Sequence, residues 1–161
     1  MSMTGNYLPV TGDQLDELLD GSLDINKLLL NGGAFNPEIV SIDKSWNGID
    51  ALLASKAEDE TGPLAIAVIG GQPINDEDLG YGPAMFLTTD QVKEIADELD
   101  RLDDAAFEAL FDGFDWSAAD IYPQMSGSED DRQYLTYYFS LLRDVYRLAR
   151  DNSSAMVQFL A

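Results

Sequence analysis

Two nine-residue segments of this chain announce a helix in the same way, which limits the fold to one in which two similar strand-to-helix passages are accommodated. They are Val10-Thr11-Gly12-Asp13-Gln14-Leu15-Asp16-Glu17-Leu18 and Leu87-Thr88-Thr89-Asp90-Gln91-Val92-Lys93-Glu94-Ile95. In each, a Thr stands three residues before a Gln, the spacing at which the hydroxyl accepts from the third helical amide while the Gln side chain reaches back to the cap. Asp13 and Asp90 suit the positive end of the helix dipole. The apolar runs before them, Tyr7 to Val10 and Ala84 to Leu87, read as short strands.

The likeness continues in order. The first helix is expected to stop near Asn31-Gly32-Gly33, a glycine end signal, before Phe35-Asn36-Pro37 and Val40-Ser41-Ile42-Asp43. The second is followed by Phe114-Asp115-Trp116 and Ala119-Asp120-Ile121-Tyr122. A further helix then comes in each half, Ser45 to Ser55 and Asp130 to Arg150, and each half closes on an apolar strand, Leu64 to Ile69 and Ala155 to Leu160. Two copies are too few and too long for a solenoid. The expectation is an α+β fold, one domain over residues 1–161, with internally duplicated strand-helix-helix-strand halves of about 1–72 and 81–161 around a small, mainly antiparallel sheet.

Composition narrows the chemistry. The chain has 161 residues, enough for one core, with 30 acidic residues against 9 basic ones, a net charge of -21, and neither histidine nor cysteine. Imidazole- and thiol-based nucleophile pairs are excluded, as is a zinc site built from nitrogen and sulfur. No carboxylate constellation demands a reaction, so an enzyme is the less favoured reading and no cofactor is implied. Repulsion from phosphate and anionic headgroups argues against nucleic acid and membrane, and makes a basic protein the natural partner, with the chain a monomer or weak homodimer. A solvated acidic surface without a partner explains the same charge. The start of the chain lacks a signal-peptide pattern, and Leu64 to Ile69 is too short to span a bilayer, so a soluble, cytoplasmic protein is expected.

Several motifs resemble a known family. Ile42-Asp43-Lys44-Ser45-Trp46-Asn47-Gly48-Ile49-Asp50-Ala51-Leu52-Leu53, Ala67-Val68-Ile69-Gly70-Gly71, Glu77-Asp78-Leu79-Gly80-Tyr81-Gly82-Pro83-Ala84 with Leu87-Thr88, and Ile121-Tyr122-Pro123 occur in order. Together with the opening Met1-Ser2-Met3-Thr4-Gly5 they resemble the YfbM-like family of uncharacterised bacterial proteins. The resemblance implies a small α+β cytoplasmic domain and carries no activity. The chain departs from the pattern at Asp50, where such sequences often carry a histidine, and at Met85, where they often carry an arginine. A catalytic or anion-binding site resting on those residues in relatives would not transfer.

The least ordinary stretch is Asp78-Leu79-Gly80-Tyr81-Gly82-Pro83, a tight turn with positive φ at one or both glycines that fixes Tyr81. A functional reading makes it, with the Asp43-Lys44-Ser45-Trp46 turn, the rim of a pocket or contact surface. The candidate ligand- or partner-binding residues are Asp43, Lys44, Trp46, Asp78, Tyr81 and Tyr122, with no catalytic residue and no metal ligand assigned. Each has a plainer account: Asp43 or Ser45 as a helix cap, Trp46 with Ile49, Leu52 and Leu53 as a core stripe, and the turn as a connection. Lys44 invites an acidic neighbour or an anionic ligand. The strand ending in Gly70-Gly71 is not a phosphate loop, because Gln72-Pro73-Ile74-Asn75-Asp76-Glu77-Asp78 lacks the third glycine and the helix. No window meets the pattern of an EF-hand.

Twelve carboxylates crowd the span from Asp97 to Asp131, with Arg101 inside it. Arg143, Arg147 and Arg150 share a face of the last helix, and they either neutralise this acidity within the fold or form a recognition stripe.

Overall fold

The computed structural model describes residues 2–161; Met1, the first residue of the family-like opening, lies outside them. The elements run β1 (Gly5–Val10), α1 (Gly12–Asp20), α2 (Ile25–Leu29), β2 (Leu30–Asn31), β3 (Ala34–Phe35), β4 (Val40–Ser41), a 3-10 turn (Asp43–Ser45), α3 (Trp46–Lys56), α4 (Pro63–Ile66), β5 (Gln72–Asp78), β6 (Pro83–Leu87), α5 (Thr89–Asp100), α6 (Asp104–Asp112), α7 (Glu129–Asp151) and β7 (Ala155–Leu160). This is an α+β domain.

β7 is the centre of a five-stranded sheet of order β4-β1-β7-β6-β5, and every paired neighbour is antiparallel. The registers set Tyr7 and Met85 on either side of Gln158, and Leu8 and Phe86 on either side of Val157. Side chains alternate across a strand, so these two rows face opposite ways. The Tyr7 side carries the larger core, roofed by α3, α4, α5, α6 and α7. The Leu8 side carries a smaller one, with Leu15 and Leu18 of α1 and Ile25 and Leu29 of α2. β7 is therefore buried on both faces until its last residue.

Both predicted capping boxes form. Thr11 accepts from the Gln14 amide at 3.0 Å and Gln14 accepts from the Thr11 amide at 2.9 Å; the Thr88 and Gln91 distances are 3.2 and 2.9 Å. A third box, Ser128 with Asp131, opens α7. The two similar passages leave the sheet on opposite faces: Val10, just before the first cap, points into the smaller core, and Leu87, just before the second, into the larger.

Several expectations need correction. The first helix ends at Asp20 on Gly21, whose φ is 83°, while Gly32 and Gly33 form the turn of the β2–β3 hairpin. Leu64 to Ile69 is not a strand. Pro63 sits in the first turn of α4, where its fixed φ suits a helix, and the carbonyls beyond it are claimed by side chains rather than by a neighbouring strand. The strand comes later, as β5, in the acidic stretch Gln72 to Asp78, to which the sequence had assigned no strand. The first half therefore lacks its closing strand, and α3 and α7 roof the same face, so the arrangement leaves the internal duplication unconfirmed.

Candidate functional site

Four of the six candidate residues gather where β4 turns into α3. The chain passes from Ser41 through Ile42, whose amide donates to the Gly5 carbonyl at 2.9 Å, into Asp43, whose φ is 53°. That left-handed conformation is uncommon outside glycine and is tolerated by Asp. It is held by the Asp43 amide donating to Ser41 Oγ at 3.1 Å and by Ser45 Oγ donating to the Ile42 carbonyl at 2.5 Å. Ser45 thus serves the turn instead of capping α3, and neither it nor Asp43 is the ordinary cap expected from the sequence.

The turn presents Asp43 to α7. Tyr134 donates its hydroxyl to Asp43 Oδ2 at 3.0 Å. Tyr137 and Tyr138 follow one turn later on the helix, with Tyr138 packed edge-on against both neighbours at centroid distances of 5.0 and 4.9 Å. Burial, then the bond to Asp43 and its charge, push the Tyr134 phenol up; burial and the same charge raise that of Tyr138. Both remain neutral donors at ordinary pH. Tyr137 is 60% exposed. The result is a small surface of aromatic edges and faces around one carboxylate.

Trp46 and Tyr122 support this corner from beneath. Trp46 Nε1 donates to the Met3 carbonyl at 3.0 Å, the Met3 amide donates to the Tyr122 hydroxyl at 3.3 Å, and the Tyr122 amide donates to Asn47 Oδ1 at 2.7 Å. They pin the N-terminal segment. Lys44, half-buried beside Asp43, forms no ion pair among the described residues.

Asp78 and Tyr81 lie elsewhere. They belong to the β5–β6 turn at the other edge of the sheet, four strand spacings or roughly 19 Å from β4. Asp78 Oδ1 accepts from the Gly82 and Gly80 amides at 2.9 and 2.8 Å, which lowers its carboxyl pKa, and both glycines have positive φ as expected. The turn is self-contained. The shared pocket rim is not assembled: four clefts on the described surface, of about 270 to 520 Å³, are lined by other residues.

The charges sort themselves. Arg143 meets Asp104, Arg147 meets Asp100, and Arg150 meets Asp97 and Asp100, so this stripe clamps α7 to α5 and α6. Burial opposes ionisation of Asp100, and the guanidiniums of Arg147 and Arg150 outweigh it, leaving that carboxyl below its ordinary value. Arg132 pairs with Glu108 and Asp112, and Arg101 with Glu98. All five arginines are spent inside the fold. No group of three or more carboxylates among the described residues is placed to hold a metal ion, and no described helix is long and apolar enough to cross a membrane.

A second polar cluster is buried. Gln158 donates from Nε2 to the Ile66 and Ala67 carbonyls and accepts from the Gly70 amide at 3.0 Å. Tyr7 and Tyr146 donate to the Val68 and Ala67 carbonyls, each at 2.5 Å. Burial holds both phenols well above their ordinary range. Asp50 stands on α3, which roofs this same face; burial pushes its carboxyl up to about 6, and its charge adds to the raising of Tyr7. The two departures from the family pattern, Asp50 and Met85, thus lie on the same side of the sheet. Sequence reasoning missed this cluster; its one signal is Gln158, the single polar residue in the run Ala155 to Leu160. Tyr134, Tyr137 and Tyr138 were likewise not singled out, although three tyrosines in five residues exceed what a core stripe needs.

A family model described as a domain of unknown function, DUF1877, matches residues 1–159. Among solved structures, the chain is similar to YfbM from Escherichia coli, a protein of unknown function, at 19% identity and a TM-score of 0.68, covering 98% of this chain and 99% of that one. This likeness shows the shared fold. None of the curated proteins matches the chain.

Proposed function

The chain belongs to the DUF1877 family, a domain of unknown function, so its role has to come from its own surface, and we propose a non-enzymatic interaction module, of inhibitor or immunity type, that binds a basic protein. The observation that carries this reading is the exposed Tyr137 ring standing with Tyr134 and Tyr138 beside the Asp43 carboxylate. Tyrosine is enriched where protein surfaces meet, because it offers a large rigid apolar area with a polar tip.

Charge supports the same reading. Eight carboxylates pair with arginine, and among the described residues the other twenty-two of the thirty have no basic partner. Such a field accelerates encounter with a cationic surface, while the tyrosine patch supplies contact area at the point of docking. The competing idea, a small-molecule or carboxylate-based site using Asp43, Lys44, Trp46 and Tyr81, gains nothing from the position of the clefts.

The test is retention of a native-lysate protein by the tagged chain at low salt, with elution by rising salt. The expected result is one stoichiometric basic protein, lost when Tyr137→Ser is the bait. No stoichiometric protein at low salt would sink the proposal.

A further inference from the structure

We infer that the partner enters this face with an arginine side chain, its guanidinium against the Tyr137 and Tyr138 rings and paired with the Asp43 carboxylate. The inference rests on the interaction reading and narrows it to one residue type. Three features of the site lead to it.

The carboxylate is set in place before any partner arrives. Main-chain and hydroxyl bonds fix the turn at Asp43, and Tyr134 occupies Oδ2, while Oδ1 accepts no hydrogen bond among the described residues. A preset acceptor spares the ordering cost of association. The rings come next: Tyr138 packs edge-on against both Tyr134, which binds Asp43, and the exposed Tyr137, so an aromatic surface adjoins the carboxylate's own partner, and there a flat cation gains from the ring quadrupole as well as from the charge.

The third feature is that the neighbouring cations of α7 are engaged elsewhere. Arg132 turns to Glu108 and Asp112, and Arg143 to Asp104, so neither fills the site. Asp130, exposed one turn before Tyr134, adds negative charge on the approach. Arginine is favoured over lysine because its planar, weakly hydrated head stacks on aromatic rings and still donates in the plane, whereas an ammonium keeps its water. The carboxylates of α1 and β5 are exposed and screened by solvent, so they steer without selecting.

The test titrates the full chain, labelled for observation of backbone amide and tyrosine ring resonances, with a nine-residue Gly-Arg repeat and with the same peptide carrying lysine. Two variants accompany it. Asp43→Asn keeps an acceptor for Tyr134 and tolerates the left-handed turn, and Tyr137→Ser changes an exposed ring, so neither endangers the fold. The expected result is a saturable shift of the Tyr137 and Tyr138 rings by the arginine peptide, weaker binding of the lysine peptide, and a loss of about tenfold on removing either Asp43's charge or the Tyr137 ring. Equal binding of both peptides, with shifts spread over α1 and β5, would overturn the arginine site and leave the interaction reading standing. No shift from either peptide at low salt would also overturn it; only if the lysate experiment retained nothing as well would the broader reading fall.

Discussion

Gln158, enclosed at the middle of β7, donates from Nε2 to the Tyr146 hydroxyl of α7 at 2.9 Å, and together they hold the loop that follows α4. A glutamine in the central strand of a sheet is costly unless its amide is satisfied. Here both ends are: the oxygen takes the Gly70 amide, and the nitrogen serves the Ile66 and Ala67 carbonyls. The loop's main chain is thus paired to side chains in place of a strand partner.

Replacing Gln158 with Leu should therefore destabilise the fold by about 3 kcal/mol or more, since several buried main-chain groups lose partners together. Urea unfolding should show a lower midpoint at unchanged slope. Tyr7→Phe, which strips only the Val68 carbonyl, should cost about 1 to 2 kcal/mol.

Asp50 should make the protein less stable as pH rises from about 4 to 6. Its folded pKa, about 6, exceeds the ordinary carboxyl value of 3.8, so the folded state binds the extra proton in that window and loses that advantage above it. Asp50→Asn should raise stability at pH 7, by at most about 3 kcal/mol, and flatten the profile there. Asp100, held below its ordinary value by arginine, acts in the opposite sense below pH 4, where protonation removes its contribution. Thermal melts across pH 2.5 to 7.5 for the unaltered chain and Asp50→Asn check this.

Gly71 and Gly82 both have positive φ yet should respond differently to alanine. A Cβ on Gly71 would lie 2.2 Å from the Phe86 carbonyl oxygen, forcing β5 from β6, and should cost at least about 3 kcal/mol. At Gly82 nothing lies within 4 Å, so only the conformational cost of about 1 kcal/mol remains. Chemical denaturation of the two variants gives the comparison.

Arg143→Met should destabilise more than removal of an exposed arginine. Arg143 donates to the Leu102 carbonyl at 2.9 Å as well as to Asp104, and its guanidinium lies 5.4 Å from the centre of the Phe139 ring. Methionine keeps the stem's packing and loses both bonds, for about 1.5 to 3 kcal/mol. Arg101→Ala, at an exposed pair, should stay within about 0.5 kcal/mol. Melting temperatures at low and high salt separate the two.

The local rules read from the sequence governed this protein where the interaction is local. Thr11 and Thr88 cap their helices because cap, amide and glutamine lie within four residues, and α7 follows from its stripe of apolar positions. Tyr7 to Val10, Ala84 to Leu87 and Ala155 to Leu160 are strands because their apolar pattern suits burial in a sheet. The acidic surplus was equally legible, as was the pairing of Arg143, Arg147 and Arg150 with the preceding helices as one of two readings.

Tertiary structure decided the rest, because the deciding partners are remote in sequence. Leu64 to Ile69 has the composition of a strand, yet Pro63 and three side chains, Tyr7, Tyr146 and Gln158, turn it into a helical turn and loop. The acidic run Gln72 to Asp78 has little strand propensity and becomes β5 because β6 offers it a partner. The candidate site divided for the same reason: Asp43 meets Tyr134 across 91 residues, while strand order alone sends Asp78 and Tyr81 to the opposite edge. Spacing along a chain specifies caps, periods and charge; which face a strand turns to its neighbours, and which distant hydroxyl reaches a carboxylate, is fixed only when the sheet has closed around β7.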